Sequence, residues 1–402
     1  MMEIDIGRGK KGRRAFGFDD IAIVPSRRTR DPDDIDITWT LGPYRFELPL
    51  IAAAMDGVMS PETAALVNRL GGLGVLNLEG IWTRYEDVEV QLEKIAATPK
   101  HLATGVMQEI YSEPVKTELV GQRIAEIKEK GAVACGSLTP QRVRDHYETA
   151  IEAGLDILVV QGTVISAEHV STIVEPLNLK EFIAEVPVPT VVGGCASYST
   201  GLHLMRTGAV GVLVGVGPGA ACTTRGVLGI GVPQATAIAD VAAARSQHML
   251  ETGEYCNVIA DGGMRTGGDV SKAIACGADS VMIGSPLARA KESPGRGFHW
   301  GMATFHPSLP RGARVSTTQD GTMEEILLGP AHENDGTFNL MGALRTSMAT
   351  TGYEDIRSFQ RAEVMVAPAL QSEGKKLQQE QSVGMASNGR AAVATGVGVV
   401  DD

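Results

Sequence analysis

A cysteine in a glycine-rich loop is the residue best placed to do chemistry. In Gly215-Val-Gly-Pro-Gly-Ala-Ala-Cys222-Thr-Thr-Arg225 the glycines let backbone N–H and C=O groups face a site without Cβ obstruction. Nearby N–H groups, or Arg225, can lower the pKa of such a thiol and give a thiolate nucleophile. The plainer reading is a tight turn that holds a small residue. A Walker-type phosphate loop is excluded, because no Gly-Lys-Ser/Thr follows. A second stretch is Val258-Ile-Ala-Asp261-Gly-Gly-Met-Arg265. An Asp at a strand end can accept hydrogen bonds from sugar hydroxyls, while Gly262 and Gly263 turn N–H groups toward an anion. The third, Val281-Met-Ile-Gly284-Ser285-Pro-Leu287, reads as a phosphate cradle. Each alone is equally a strand, a turn and a capping residue for the next helix. Together, a nucleophile, a diol acceptor and a phosphate cradle describe a nucleotide site.

Such groups need a scaffold that brings strand ends together. Eight short apolar runs are candidates: Leu50–Ala54, Gly74–Asn77, Val133–Gly136, Ile157–Gln161, Thr190–Gly193, Val210–Gly215, Val258–Asp261 and Ser280–Gly284. Most lack polar alternation, as strands buried on both faces do. Amphipathic stretches separate them: Pro61–Leu70, Tyr85–Ala96, Pro140–Ala153, Tyr198–Thr207, Gln234–Leu250 and Asp269–Ala275. Pro61 and Pro140 follow Ser60 and Thr139, a common helix start. Eight β–α units in order predict an α/β fold, a single-domain (β/α)8 TIM barrel over 1–367, with an open doubly wound sheet as the competing architecture. A barrel places chemistry at the C-terminal strand ends. The chain adds an insertion, Pro99–Lys130, with a helix over Thr117–Lys130, and a long flap-like segment, Ser293–Pro330. The tail, 368–402, turns to Gln, Ser, Gly and Ala and is expected to be disordered.

Composition excludes several function classes. The 402 residues carry a net charge of −12, against the basic stripe that nucleic-acid binding needs. No apolar run reaches the ~18 residues that would span a bilayer, and the N-terminus lacks an apolar signal core. Five cysteines without C-x-x-C pairing fit a reducing compartment rather than a disulfide framework. The expectation is a soluble cytoplasmic protein that binds neither nucleic acid nor membrane. Cys135, Cys256 and Cys276 read as buried hydrophobes, with Cys195 as an unreactive pocket residue.

The three motifs, with Phe18-Asp-Asp20, Ala54-Met55-Asp56 and Gly301-Met302, resemble the IMP dehydrogenase/GMP reductase family. The resemblance runs from about Gly7 to Pro368 and is most specific in Gly217-x-Gly219-x-x-Cys222-Thr-Thr-Arg225. The basic N-terminal run through Arg13-Arg14 and the Gly301-Met-Ala-Thr-Phe305 segment are similar to its third, IMP dehydrogenase-related class. The resemblance implies a (β/α)8 barrel, a homotetramer or higher, and a purine mononucleotide substrate, GMP or IMP. Cys222 would attack C2 of the purine, and Thr224 would assist proton transfer. Asp261 would hold the ribose diol, and Gly263, Gly284 and Ser285 the phosphate. Met55, Gly301 and Met302 would meet the base. Cofactor contacts would fall to Gln161, Gly162 and Thr163. Carbonyls of Gly217, Gly219 and Cys222 would form a monovalent-cation loop, for K+.

The departures bear on which reaction runs. Dehydrogenases of the family carry a pair of regulatory modules where Pro99–Lys130 stands, and an Arg-Tyr pair in the mobile flap whose Arg activates water. Here the insertion is far too short, and no Arg-Tyr follows Met302. Arg311 replaces the Gln or Glu after the flap. Gln161 replaces an Asp, Cys195 an Asn and Ala220 a Ser. Loss of the hydrolytic base removes more from a dehydrogenase than from a reductase. The expected activity is therefore NADPH-dependent reduction of GMP to IMP, with Glu333 or Glu325 as the replacement acid. The alternatives are IMP oxidation with NAD and a non-catalytic nucleotide-binding regulator, which would have no need of a thiol.

Overall fold

A computed structural model describes residues 3–165, 176–301, 312–367 and 374–384. Eight parallel strands close into a barrel: β1 Leu50–Ala52, β2 Leu73–Asn77, β3 Cys135–Leu138, β4 Ile157–Gln161, β5 Thr190–Cys195, β6 Gly211–Val214, β7 Asn257–Asp261 and β8 Ser280–Ile283. Each overlaps one of the eight expected runs. Closure is made where Val281 of β8 pairs with Leu50 of β1. Alternate side chains of each strand serve two cores, as the two-residue period requires. Ile51, Val75, Ile157, Val159, Leu213, Ile259 and Met282 fill the interior. Leu50, Leu76, Leu158, Val160, Val212 and Val281 face the surrounding helices.

A hairpin, Trp39–Leu41 paired with Tyr44–Phe46, closes the N-terminal end of the barrel. Trp39 and Phe46 stack at 5.4 Å and join the interior cluster, and the indole N–H of Trp39 donates to the Leu48 carbonyl at 2.6 Å. Burial of one such large apolar side chain is worth roughly 1.5–3 kcal/mol.

The helices follow the expected order, with local differences. α1, Pro61–Arg69, begins as predicted, with Ser60 accepting from the Thr63 N–H. The helix Val143–Glu152 starts three residues beyond Pro140, because Thr139 is otherwise engaged: its N–H and hydroxyl both donate to Glu79. Helices Ala103–Ile110, Leu179–Glu185 and Leu340–Thr350 were not anticipated. Within the tail expected to be disordered, Lys376–Gln381 is helical.

The insertion and the segment before it share a third small core. Ile81, Val88, Leu92, Ile95, Met107, Ile110 and Tyr111 pack there around Trp300. Trp300 lies on a second hairpin, Phe298–Trp300 with Arg314–Ser316, at the base of the flap-like segment. Among the described residues no helix is long and apolar enough to cross a membrane, and no cluster of His, Cys, Asp or Glu could hold a metal ion.

Candidate active site

The C-terminal strand ends gather the expected chemistry. Cys222 sits half-buried in the loop after β6, its Sγ 3.1 Å from the Thr224 hydroxyl, and Thr224 is fully buried. The Cys222 N–H donates to the Gly219 carbonyl at 3.0 Å and closes the turn. Arg225 does not serve as the expected thiol activator. Its guanidinium donates to the carbonyls of Val216 at 3.4 Å and Val232 at 2.7 Å, so it clamps the loop on both sides of the cysteine. That geometry makes Thr224, rather than Arg225, the polar side chain that addresses the sulfur.

Asp261 ends β7 beneath this loop. A Cβ on Gly215 would overlap the Asp261 carbonyl oxygen, so the chain can pass there only as glycine. The same carbonyl accepts from the buried Gln234 amide at 3.1 Å, which also donates to Val214 at 2.7 Å and thereby ties β6 to β7. Gly262 and Gly263 follow with left-handed φ of 76° and 83°. The Gly262 N–H donates to the Met282 carbonyl of β8 at 3.0 Å, so of the two amides expected to face an anion this one is taken up by the barrel. The turn also props the cysteine loop, since a Cβ on Gly263 would stand 3.0 Å from Pro218.

Across the barrel mouth, the Gln161 amide of β4 donates to an Asp261 carboxylate oxygen at 3.2 Å. Burial pushes the Asp261 carboxyl up to about 7, and the hydrogen bond from Gln161 opposes that only in part. The Gln161 assigned to the cofactor is thus joined to the residue assigned to the ribose. Gly162 gives both of its backbone groups to β5, its N–H to Gly193 at 2.8 Å and its carbonyl to the Gly194 N–H at 3.0 Å. Gln161 and the half-buried Thr163 are therefore the side chains at this strand end that suit a cofactor hydroxyl.

Ser285, expected in the phosphate cradle, has a buried histidine as its partner. Ser285 Oγ lies 2.8 Å from His299 Nε2, and His299 Nδ1 lies 2.8 Å from the Thr317 hydroxyl. His299 is 1% exposed, and burial holds it down to about 4. It is neutral near pH 7 and orients Ser285 without adding charge. No spacing signals this contact, since a hairpin carries His299 back to β8. A linkage follows. The unfolded imidazole takes its proton near pH ~6.5, whereas the folded one waits until about 4. The protein should lose stability as pH falls through that window, and His299→Gln should flatten the acid limb of a Tm-against-pH profile. An unchanged limb would mean that His299 is not buried in the neutral form.

The remaining expected residues fall in place around these. Met55 and Gly284 are in contact, with Met55 Sδ 2.5 Å from where a Gly284 Cβ would stand. Gly301 approaches the loop of Cys222, a Cβ there meeting the Ala221 carbonyl at 2.9 Å. Met302 and Arg311 lie outside the described residues. Cys195 is 1% exposed inside the helix-facing core, and burial pushes its thiol up to about 12. It is a core residue rather than a pocket wall. Glu325 accepts from the N–H of Thr322 as a helix cap, and that hydrogen bond holds its carboxyl below the ordinary range. A carboxylate so engaged is a poor proton donor at neutral pH, unlike the acid expected of it.

Residues 15–376 match the IMP dehydrogenase/GMP reductase domain family. The chain belongs to that family. It is 46% identical over 372 residues to an uncharacterized oxidoreductase of Mycolicibacterium smegmatis, covering 90% of this chain and 99% of the relative. An inosine-5′-monophosphate dehydrogenase of Cryptosporidium parvum is 32% identical over 299 residues, 72% of this chain and 70% of that one. A crystal structure of an IMP dehydrogenase/GMP reductase-like protein from Corynebacterium glutamicum superposes with a TM-score of 0.86 at 44% identity, covering 90% of this chain and 97% of that one. As a member of this oxidoreductase family, the barrel carries its cysteine loop, its Asp-Gly-Gly turn and its Gly-Ser cradle at one mouth.

Proposed function

We propose that the protein reduces GMP to IMP with NADPH through a covalent adduct on Cys222. Sγ adds to C2 of the purine, and the C2 amino group takes up a proton and departs as ammonia. Thr224, at 3.1 Å from Sγ, is the hydroxyl that can pass protons at this centre. A reduced nicotinamide held beside Gln161 and Thr163 would supply the hydride taken up at C2, and with that the C–S bond would break and Cys222 leave as the thiolate. The balance is GMP, NADPH and two protons giving IMP, NADP+ and ammonium. Asp261 accepts from the ribose hydroxyls. The N–H groups at Gly263 and Gly284, with Ser285, receive the phosphate. Gln161 and Thr163 face the cofactor, and the carbonyls of Gly217, Gly219 and Cys222 are offered to K+. We further propose a homotetramer.

One observation carries the choice of reaction. Oxidation of IMP must end with hydrolysis of the adduct, and a positioned base is worth about 100- to 10,000-fold in such a step. Among the described residues, Arg225, Arg265 and Arg314 are each committed elsewhere, Arg265 to Asp19 and Asp269. Arg225 holds Val216 and Val232, and Arg314 donates to the Ile95 carbonyl and covers the Phe298 ring at 4.3 Å. The segment between Trp300 and Arg314 contains no Arg-Tyr pair. A reductase needs no activated water, so this loss does not impair it.

The test is direct. Purified protein with GMP and NADPH should consume the reduced cofactor and form IMP. Production of NADH from IMP and NAD would assign the dehydrogenase reaction instead. Tight nucleotide binding with no turnover of either pair would assign a regulator.

A further inference from the structure

The insertion reaches the active site through one hydroxyl. Tyr111 ends its first helix and is 7% exposed. Its hydroxyl donates to Asp56 and accepts from the Trp300 indole N–H at 2.7 Å. Asp56 and Trp300 are fully buried, and Asp56 also accepts from the Ile81 N–H at 2.9 Å. The two ends of this chain of hydrogen bonds are what give it meaning. Asp56 directly follows Met55, which packs at Gly284, and Trp300 directly precedes Gly301, which lies against the Ala221 carbonyl beside Cys222. Hydrophobic packing alone could hold Trp300 in its cluster. Hydrogen bonds add a fixed distance and direction, which packing does not.

We propose that Tyr111 is a positioning residue that sets the gap between Met55 and Gly301, the two walls assigned to the purine base. This rests on the purine reading given above. Asp56 fixes one wall, Trp300 fixes the other, and the Tyr111 hydroxyl is the spacer between them. The insertion that stands in place of a regulatory pair thus has a function of its own: it gauges the slot for the base while leaving the sugar and phosphate contacts to Asp261 and Ser285.

Three conservative variants test this. Tyr111→Phe and Trp300→Phe remove the spacer. Tyr85→Phe removes a hydrogen bond of 2.8 Å from a neighbouring segment to the Ile110 carbonyl of the insertion and serves as the control for core stability. Tyr111→Phe and Trp300→Phe should each weaken GMP binding about 10-fold, the usual scale for one lost buried hydrogen bond, with ribose 5-phosphate binding unchanged. Both should also alter the alkylation rate of Cys222 by iodoacetamide in nucleotide-free protein, read by peptide mass, and Tyr85→Phe should do neither. Wild-type alkylation in Tyr111→Phe, or equal losses in Tyr85→Phe, would overturn the spacer. Failure of the wild-type protein to bind GMP would overturn the purine reading instead, and the alkylation comparison would still decide the role of Tyr111.

Discussion

Cys222→Ala should lower turnover by at least ~10,000-fold, since removal of a covalent nucleophile leaves only binding and electrostatic assistance. Nucleotide affinity should change little, because Asp261, Ser285 and the turn glycines are untouched. Intact mass of the wild-type protein, quenched during turnover, should show the added nucleotide, and the variant should show none. The half-buried sulfur beside the Thr224 hydroxyl is the geometric basis for this expectation. Persistence of activity in the variant would remove the covalent route and leave the barrel as a binding scaffold.

Asp261→Ala should cost about 100-fold or more in kcat/KM, since each hydrogen bond to a charged group is worth ~1.5–3 kcal/mol and a diol makes two. The loss should be specific to the ribose. Wild type should discriminate strongly against a 2′-deoxy nucleotide, and the variant should not, so the two changes together should cost less than their sum. Asp261 also sets a pH dependence. Its folded carboxyl keeps its proton up to about 7, whereas the unfolded one loses it near ~3.9. The stability this contributes is fully present below about 4 and is lost as pH rises toward 7. Asp261→Asn should therefore gain Tm relative to wild type over that interval. Parallel Tm profiles for the two proteins would refute the raised carboxyl.

The scaffold could be read from the sequence because a strand buried on both faces leaves a simple trace. Leu73–Asn77, Ile157–Gln161 and Asn257–Asp261 stand out as short Val-, Ile- or Leu-rich runs that stop at a polar residue. The cysteine loop and the Asp-Gly-Gly turn were legible for a related reason. Glycine is required where the backbone adopts left-handed φ or passes against another strand, as at Gly263 and Gly215. What could not be read depends on closure. Gln161 and Asp261 are 100 residues apart and meet only because β4 and β7 face each other across one mouth. His299 and Tyr111 come to the site on a hairpin and an insertion whose docking no local periodicity encodes. The role expected of Arg225 failed for a further reason. A guanidinium has several donors, and the loop carbonyls of Val216 and Val232 take them before a thiol can.

The Trp39–Phe46 stopper has a kinetic consequence. With the barrel interior already filled by side chains and its base capped, ligands can enter and leave only at the C-terminal mouth. Whichever ligand lies deeper in that mouth must arrive first and depart last, so initial-velocity patterns should be ordered, and the product released last should compete with the substrate that binds first.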